Sequence, residues 1–79
     1  MTELVHSFQK SFNEFVHISI SEFNKKKYVD IRTYFKNDEE EVLPTKKGVT
    51  FSVQSFYEFK DAMEKLEEEL LKEGLIEER

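Results

Sequence analysis

The period of hydrophobicity changes once along this chain, and that change is its strongest constraint on folding. Val16, Ile18 and Ile20 alternate with His17, Ser19 and Ser21. Val29, Ile31, Thr33 and Phe35 alternate with Tyr28, Asp30, Arg32 and Tyr34, and Val49, Phe51 and Val53 with Thr50 and Ser52. Period two is the signature of strands with one buried face. From Phe56 the spacing becomes three and four, through Phe59, Met63, Leu66 and Leu70, which is one apolar stripe of a helix. Leu4 to Phe12 is a further, weaker strand, with Leu4 and Phe8 in phase. Strands in succession followed by a helix indicate an α+β fold, an antiparallel sheet with one helix on one face. The expected layout is a single ββββα domain over 1–79, with strands within 4–53 and a helix over about 53–73.

Punctuation is sparse. Asn24 to Lys27 has hairpin length, and Lys36 to Lys47 reads as a longer acidic loop containing Pro44. Ser52 or Ser55 can cap the helix, Ser55 with Glu58 fits a capping box, and Gly74 can close the helix in a left-handed conformation.

A chain of 79 residues needs help to stay folded. It has no cysteine, so disulfides and thiolate metal sites are excluded. Two histidines, His6 and His17, are poor material for a metal centre, and their plain reading is surface or edge polar residues. Oligomerisation remains, with the helix stripe as its seam. No apolar run approaches the ~20 residues of a membrane span, and no secretory signal is visible. The expectation is an intracellular domain, neither membrane-bound nor dependent on a cofactor or metal.

The net charge of −5 argues against nucleic acid until it is located. All of it lies in residues 58–79, while residues 1–57 balance. Within them, Phe23 to Lys36 holds Lys25, Lys26, Lys27, Arg32 and Lys36 against Asp30 alone. The acidic run Asp38–Glu41 follows, and then Lys46 and Lys47 before Gly48. Basic groups attract phosphates regardless of sequence, and aromatic rings offer stacking faces to unpaired bases. Phe23, Tyr28, Tyr34 and Phe35 interleave with those cations, a combination that favours single strands over duplex. The plainer reading is that Lys25–Lys27 solubilise a turn and that Phe23 and Phe35 belong to the core. For catalysis there is no nucleophile elbow, no phosphate-binding Gly-rich loop and no His pair at helical spacing, so no enzymatic activity is expected.

From Ile18 to about Met63 the chain resembles, without a gap, the DNA-binding domain of the positive cofactor four transcriptional coactivator family. Ile18-Ser19-Ile20-Ser21-Glu22-Phe23 is similar to the family's strand ending in acid-Phe. Val29-Asp30-Ile31-Arg32-Thr33-Tyr34-Phe35 resembles its most distinctive strand, and Pro44 with Lys46-Lys47-Gly48-Val49 its Pro-x-basic-Lys-Gly signature. The resemblance implies a curved four-stranded antiparallel sheet, one C-terminal helix, and a homodimer that binds single-stranded or melted DNA with little sequence preference. It implies contacts by Phe23, Asn24, Lys25 and Lys26 at the hairpin tip, a backbone contact by Arg32, stacking by Phe35 and phosphate clamping by Lys46 and Lys47. Tyr34 would support that surface. Phe56, Phe59, Met63, Leu66 and Leu70 would form the core and dimer helix. DNA over RNA rests on the family alone. The implied setting is transcription, replication, recombination or repair, with transcription or replication proteins as further partners, in cytoplasm or nucleoid, or in the nucleus of a eukaryote. Asn24 and Ser21 stand where the family often has basic residues, and Phe35 where it commonly has Trp. The competing reading is a protein-interaction module that docks through its acidic amphipathic helix.

Overall fold

The computed structural model describes residues 2–79. Four strands, β1 (Thr2–Ser11), β2 (Glu14–Phe23), β3 (Lys26–Lys36) and β4 (Val42–Ser52), form one antiparallel sheet in the order β1-β2-β3-β4. A 3-10 turn (Val53–Ser55) leads into helix α1 (Phe56–Lys72). The α+β expectation holds. Every strand is longer than its clearest alternation, because pairing extends through polar residues wherever a neighbouring strand offers hydrogen bonds.

The connections are tighter than the sequence suggests. β2 and β3 are joined by a two-residue turn, with Asn24 at φ 51 and Lys25 at φ 64. Two consecutive left-handed residues match the twist of the flanking strands, and Asn tolerates that region better than most side chains. The long loop expected over residues 36–47 shrinks to residues 37–41. Pro44, Lys46 and Lys47 belong instead to β4. β4 lies at the sheet edge, where a missing N–H is harmless. Asn37 organises the short loop: its Oδ1 accepts the N–H groups of Glu39 and Glu41, both at 2.9 Å.

The pleat sorts side chains cleanly. Val16, Ile18, Ile20, Val29, Ile31, Phe35, Val49 and Phe51 share one face, as the cross-strand pairs require. Phe15, His17, Ser19, Tyr28, Asp30, Arg32 and Tyr34 share the other. Helix α1 lies on the apolar side, where Phe59 stacks on Phe51 with ring centroids 5.0 Å apart. Beyond that first turn the middle of the stripe is uncovered, Met63 being 47% and Leu66 48% exposed. The capping box does not form, since neither Ser52 nor Ser55 makes a side-chain cap bond; their hydroxyls face each other at 3.4 Å. The 3-10 turn feeds straight into the helix and occupies the geometry such a cap would use. The other end behaves as expected. Gly74 sits at φ 72, its N–H bonding Leu71 O at 3.1 Å and the Leu75 N–H bonding Leu70 O at 2.9 Å, a Schellman close.

Among the described residues only Ser19 and Thr33 are buried, and no apolar side chain is. The chain exposes 6951 Å², against about 5,000 Å² for a compact monomer of this size. Its radius of gyration is 14.9 Å, against about 11.6 Å for a compact chain of this length.

Gly48 is a point of close backbone approach in the sheet. A Cβ there would lie 2.7 Å from Ile31 O and 3.0 Å from the Arg32 guanidinium carbon. Gly48→Ala is expected to lower unfolding free energy by about 1–3 kcal/mol through overpacking, read as a reduced urea midpoint at unchanged slope.

Candidate nucleic-acid interface

The polar face is organised around one ion pair. Asp30 and Arg32 are two apart on β3 and therefore point the same way. Arg32 Nε donates to Asp30 Oδ2 at 3.2 Å and Nη2 to Oδ1 at 3.0 Å, a two-pronged contact with side chains only 24% and 14% exposed. Thr50 on β4 donates to the same Asp30 Oδ1 at 2.7 Å. Burial pushes the Asp30 carboxyl up, but the hydrogen bonds from Arg32 and Thr50 and the Arg32 charge outweigh it and hold Asp30 below the usual carboxylate range. The bond to Asp30 raises Arg32 further still.

Arg32 also reaches across to β4. Its Nη1 donates to Thr45 O at 3.0 Å, a route open because Gly48, its cross-strand partner, has no side chain. Between Arg32 and Tyr34 the β3–β4 register slips: Arg32 pairs with Gly48 but Tyr34 with Pro44, so β4 carries two extra residues. Thr45 staples this bulge, donating to Thr33 O at 2.7 Å and accepting the Lys47 N–H at 3.1 Å. Lys46 and Lys47, both exposed, are presented by the bulge beside Arg32. Arg32 was expected to meet a DNA backbone. In this structure two of its donors are held by Asp30 and a third by Thr45 O on the bulge that carries the two lysines.

The hairpin tip lies toward the other end of β3. Phe23 is 68% exposed and pairs across the turn with Lys26, on the polar face with Tyr28 and Arg32. Asn24 and Lys25 form the turn itself. Among the described residues Arg32–Asp30 is the one ion pair, so Lys25, Lys26, Lys46 and Lys47 keep their charge unneutralised. The acidic run Asp38–Glu41 is at the opposite end of β3, about 30 Å from the tip for an eleven-residue strand.

Two expected residues sit differently from the rest. Phe35 pairs with Glu14 and Leu43 on the apolar side, half-buried, so the pleat separates it from Phe23 and Arg32. Tyr34 stacks on His17, with centroids 3.9 Å apart and planes 17° from parallel. That contact also corrects the reading of His17, which is half-buried on a central strand rather than a surface or edge residue. The register that pairs His17 with Arg32 makes Tyr34 its diagonal neighbour on the same face. Of the apolar helix residues, Phe59 meets the sheet, while Phe56, Met63 and Leu66 stand exposed.

No group of three or more His, Cys, Asp or Glu among the described residues is placed to hold a metal, and none of their helices is long and apolar enough to cross a membrane. Residues 10–62 match the family described as Transcriptional Coactivator p15 (PC4). No curated protein sequence matches the chain significantly. Among solved structures, a PC4 homolog from Burkholderia pseudomallei aligns at TM-score 0.75 and 19% identity over 80% of this chain and 93% of its own. A bacteriophage T5 homolog of the eukaryotic coactivator PC4, described as implicated in recombination-dependent DNA replication, aligns at TM-score 0.56 and 27% identity over 95% and 86%. The MoSub1 protein, solved as a complex with DNA, aligns at TM-score 0.64 and 28% identity over 87% and 84%.

Asp30 has a depressed native pKa, so its stabilisation is fully present above its ordinary value near 3.9 and lost as pH falls through the lower native value. Asp30→Asn should therefore melt below wild type at pH 7, with the gap in Tm closing below about pH 4. A gap constant down to pH 2 would mean that the Asp30 charge does not carry the contact.

Proposed function

The chain belongs to the Transcriptional Coactivator p15 (PC4) family, and from that premise we propose that it is a non-enzymatic, non-sequence-specific binder of single-stranded or melted DNA, working as a homodimer in transcription, replication, recombination or repair. The observation that carries this reading is the unneutralised cationic set at the hairpin tip and the β4 bulge, with an exposed aromatic ring beside it. Lys25, Lys26, Lys46 and Lys47 would draw in phosphates. Phe23 would offer a ring to bases, which only an unpaired strand can present. Asn24 shapes the turn. Arg32 would face the backbone with the donors that Asp30 and Thr45 leave free, and Tyr34 braces the same face. Phe35 stands where the family has its stacking aromatic but would have to reach the strand from the other side of β3, so Phe23 is assigned the principal stacking role. The description of MoSub1 as a DNA complex supports the same ligand class.

A second copy is the proposed cover for the apolar face. The excess exposure of about 1,900 Å² over a compact monomer lies within the roughly 1,000–2,500 Å² per partner that obligate homodimers bury. Phe56, Met63, Leu66 and the outer face of the sheet would supply it, with Phe59 and Leu70 behind them. The acidic outer side of α1 would then keep the dimer soluble.

Fluorescence anisotropy against a single-stranded oligonucleotide, over a salt series, tests the binding. Wild type should favour single strand over blunt duplex. Replacing both Lys46 and Lys47 with Ala should lower the magnitude of the salt slope by about 1.4, at ~0.7 per phosphate contact. An unchanged slope would remove the bulge from the site. For the dimer, Leu66→Glu should give dissociated, largely unfolded chains in sedimentation and circular dichroism. A folded monomer that still binds DNA would assign the stripe to a different partner.

A further inference from the structure

Past the hairpin tip, the polar face runs into a half-open cavity of about 430 Å³, lined by Lys26, Lys27, Tyr28, Ser52, Val53 and Gln54. None of the positions just assigned to DNA except Lys26 borders it. It lies where β3 leaves the tight turn and β4 ends at Ser52, the register partner of Tyr28, with Val53 and Gln54 of the 3-10 turn on its border.

Its chemistry is specific. The volume falls in the ~300–1,000 Å³ range of small-ligand sites. Lys26, without an ion-pair partner among the described residues, stands on the same face as Tyr28, while Lys27 borders the cavity from the other side of the pleat. Tyr28 supplies a half-buried ring, and Gln54 a side-chain amide, donor and acceptor together, with no partner among the hydrogen bonds of the described residues. No carboxylate lines it. Two other concavities fail on that point: one of about 350 Å³ carries Glu3 and Glu22, and one of about 330 Å³ carries Asp38 and Glu40. Either would repel a phosphate.

We propose that this cavity is an additional nucleotide subsite, in which one unpaired base stacks on Tyr28 with its edge on the Gln54 amide while Lys26, on the same face, holds a flanking phosphate. The proposal rests on the single-strand reading above. It extends the path of the strand from Phe23, across the paired Lys26, to the start of the helix. The open wall suits a base within a polymer, since the chain can enter and leave. It also gives Gln54 a role that nothing in the packing of the 3-10 turn requires.

The test is anisotropy with a labelled oligothymidylate, backed by photocrosslinking of an oligonucleotide containing 5-iodouracil and mass-spectrometric mapping. Tyr28→Leu is expected to weaken binding at least about fivefold, the lower end of a lost base stack. Tyr28→Phe should bind like wild type, and Gln54→Ala should weaken binding about two- to tenfold. The crosslink should map to Tyr28. Because Tyr28→Leu touches a half-buried position, its melting temperature is measured alongside, and the exposed Gln54→Ala together with the crosslink decides the matter if that variant unfolds. Wild-type binding with unaltered Gln54→Ala affinity and no crosslink at Tyr28 would overturn the subsite and leave the single-strand reading standing. No binding by wild type at all would overturn both. Poly-glutamate binding with the same sensitivity to Tyr28→Leu would replace the nucleotide with an acidic peptide.

Discussion

A sheet has two faces, and this chain brings a single helix that meets its sheet near the helix's first turn. That shortage of cover governs the rest. Val16, Ile18, Val29, Ile31 and Val49 make a continuous apolar surface, yet no apolar side chain among the described residues is buried. The apolar face cannot remain in water at roughly 25 cal/mol per Å². A second copy is the cover proposed for that side, and the polar side carries the cations proposed to meet DNA. Phe51 and Phe59 set where the helix departs, and so where the uncovered stripe points.

On the polar side the organising contact is Arg32 over Gly48. An Arg that spends donors on Asp30 and on Thr45 O is a structural cation more than a free one. Its effect on a bound anion would be largely indirect, through the bulge that holds Lys46 and Lys47 outward. The distribution of charge follows the same economy. Asp30, at the centre of the face, is neutralised by its neighbour. The acidic loop is held by Asn37 at the far end of β3, and the net −5 belongs to the helix and its tail. An acidic protein can thus present a cationic path.

Much of this was legible residue by residue. Val29-Asp30-Ile31-Arg32 alternates so strictly that the strand and its two faces follow from period two alone. Gly74 announced the helix end because few other residues sit comfortably at positive φ. The misreadings share one cause. Residues 36–47 looked like a loop because Pro44, Lys46, Lys47 and the acidic run before them have poor strand propensity, but an edge strand tolerates Pro, and the bulge absorbs two residues that break alternation. Ser55 with Glu58 looked like a capping box because local spacing cannot reveal that a 3-10 turn precedes the helix. His17 looked like a surface residue because its stack with Tyr34 joins positions 17 residues apart.

The amino-acid sequence by itself determined which residues alternate, which face is apolar, where the helix runs, and that the positive charge gathers between Phe23 and Lys47. Those properties are local, set by side-chain chemistry and by the periods of strand and helix. Only the tertiary structure decided where the charges sit and which of them are paired. Register brings Arg32 onto Gly48 and Thr45, and the pleat puts Phe35 on the opposite side from Phe23. The meeting of β3, β4 and the 3-10 turn opens the cavity beside Tyr28. Each depends on a pairing between segments far apart in the chain, whose geometry is fixed by hydrogen bonds across the sheet rather than by any residue's own preference.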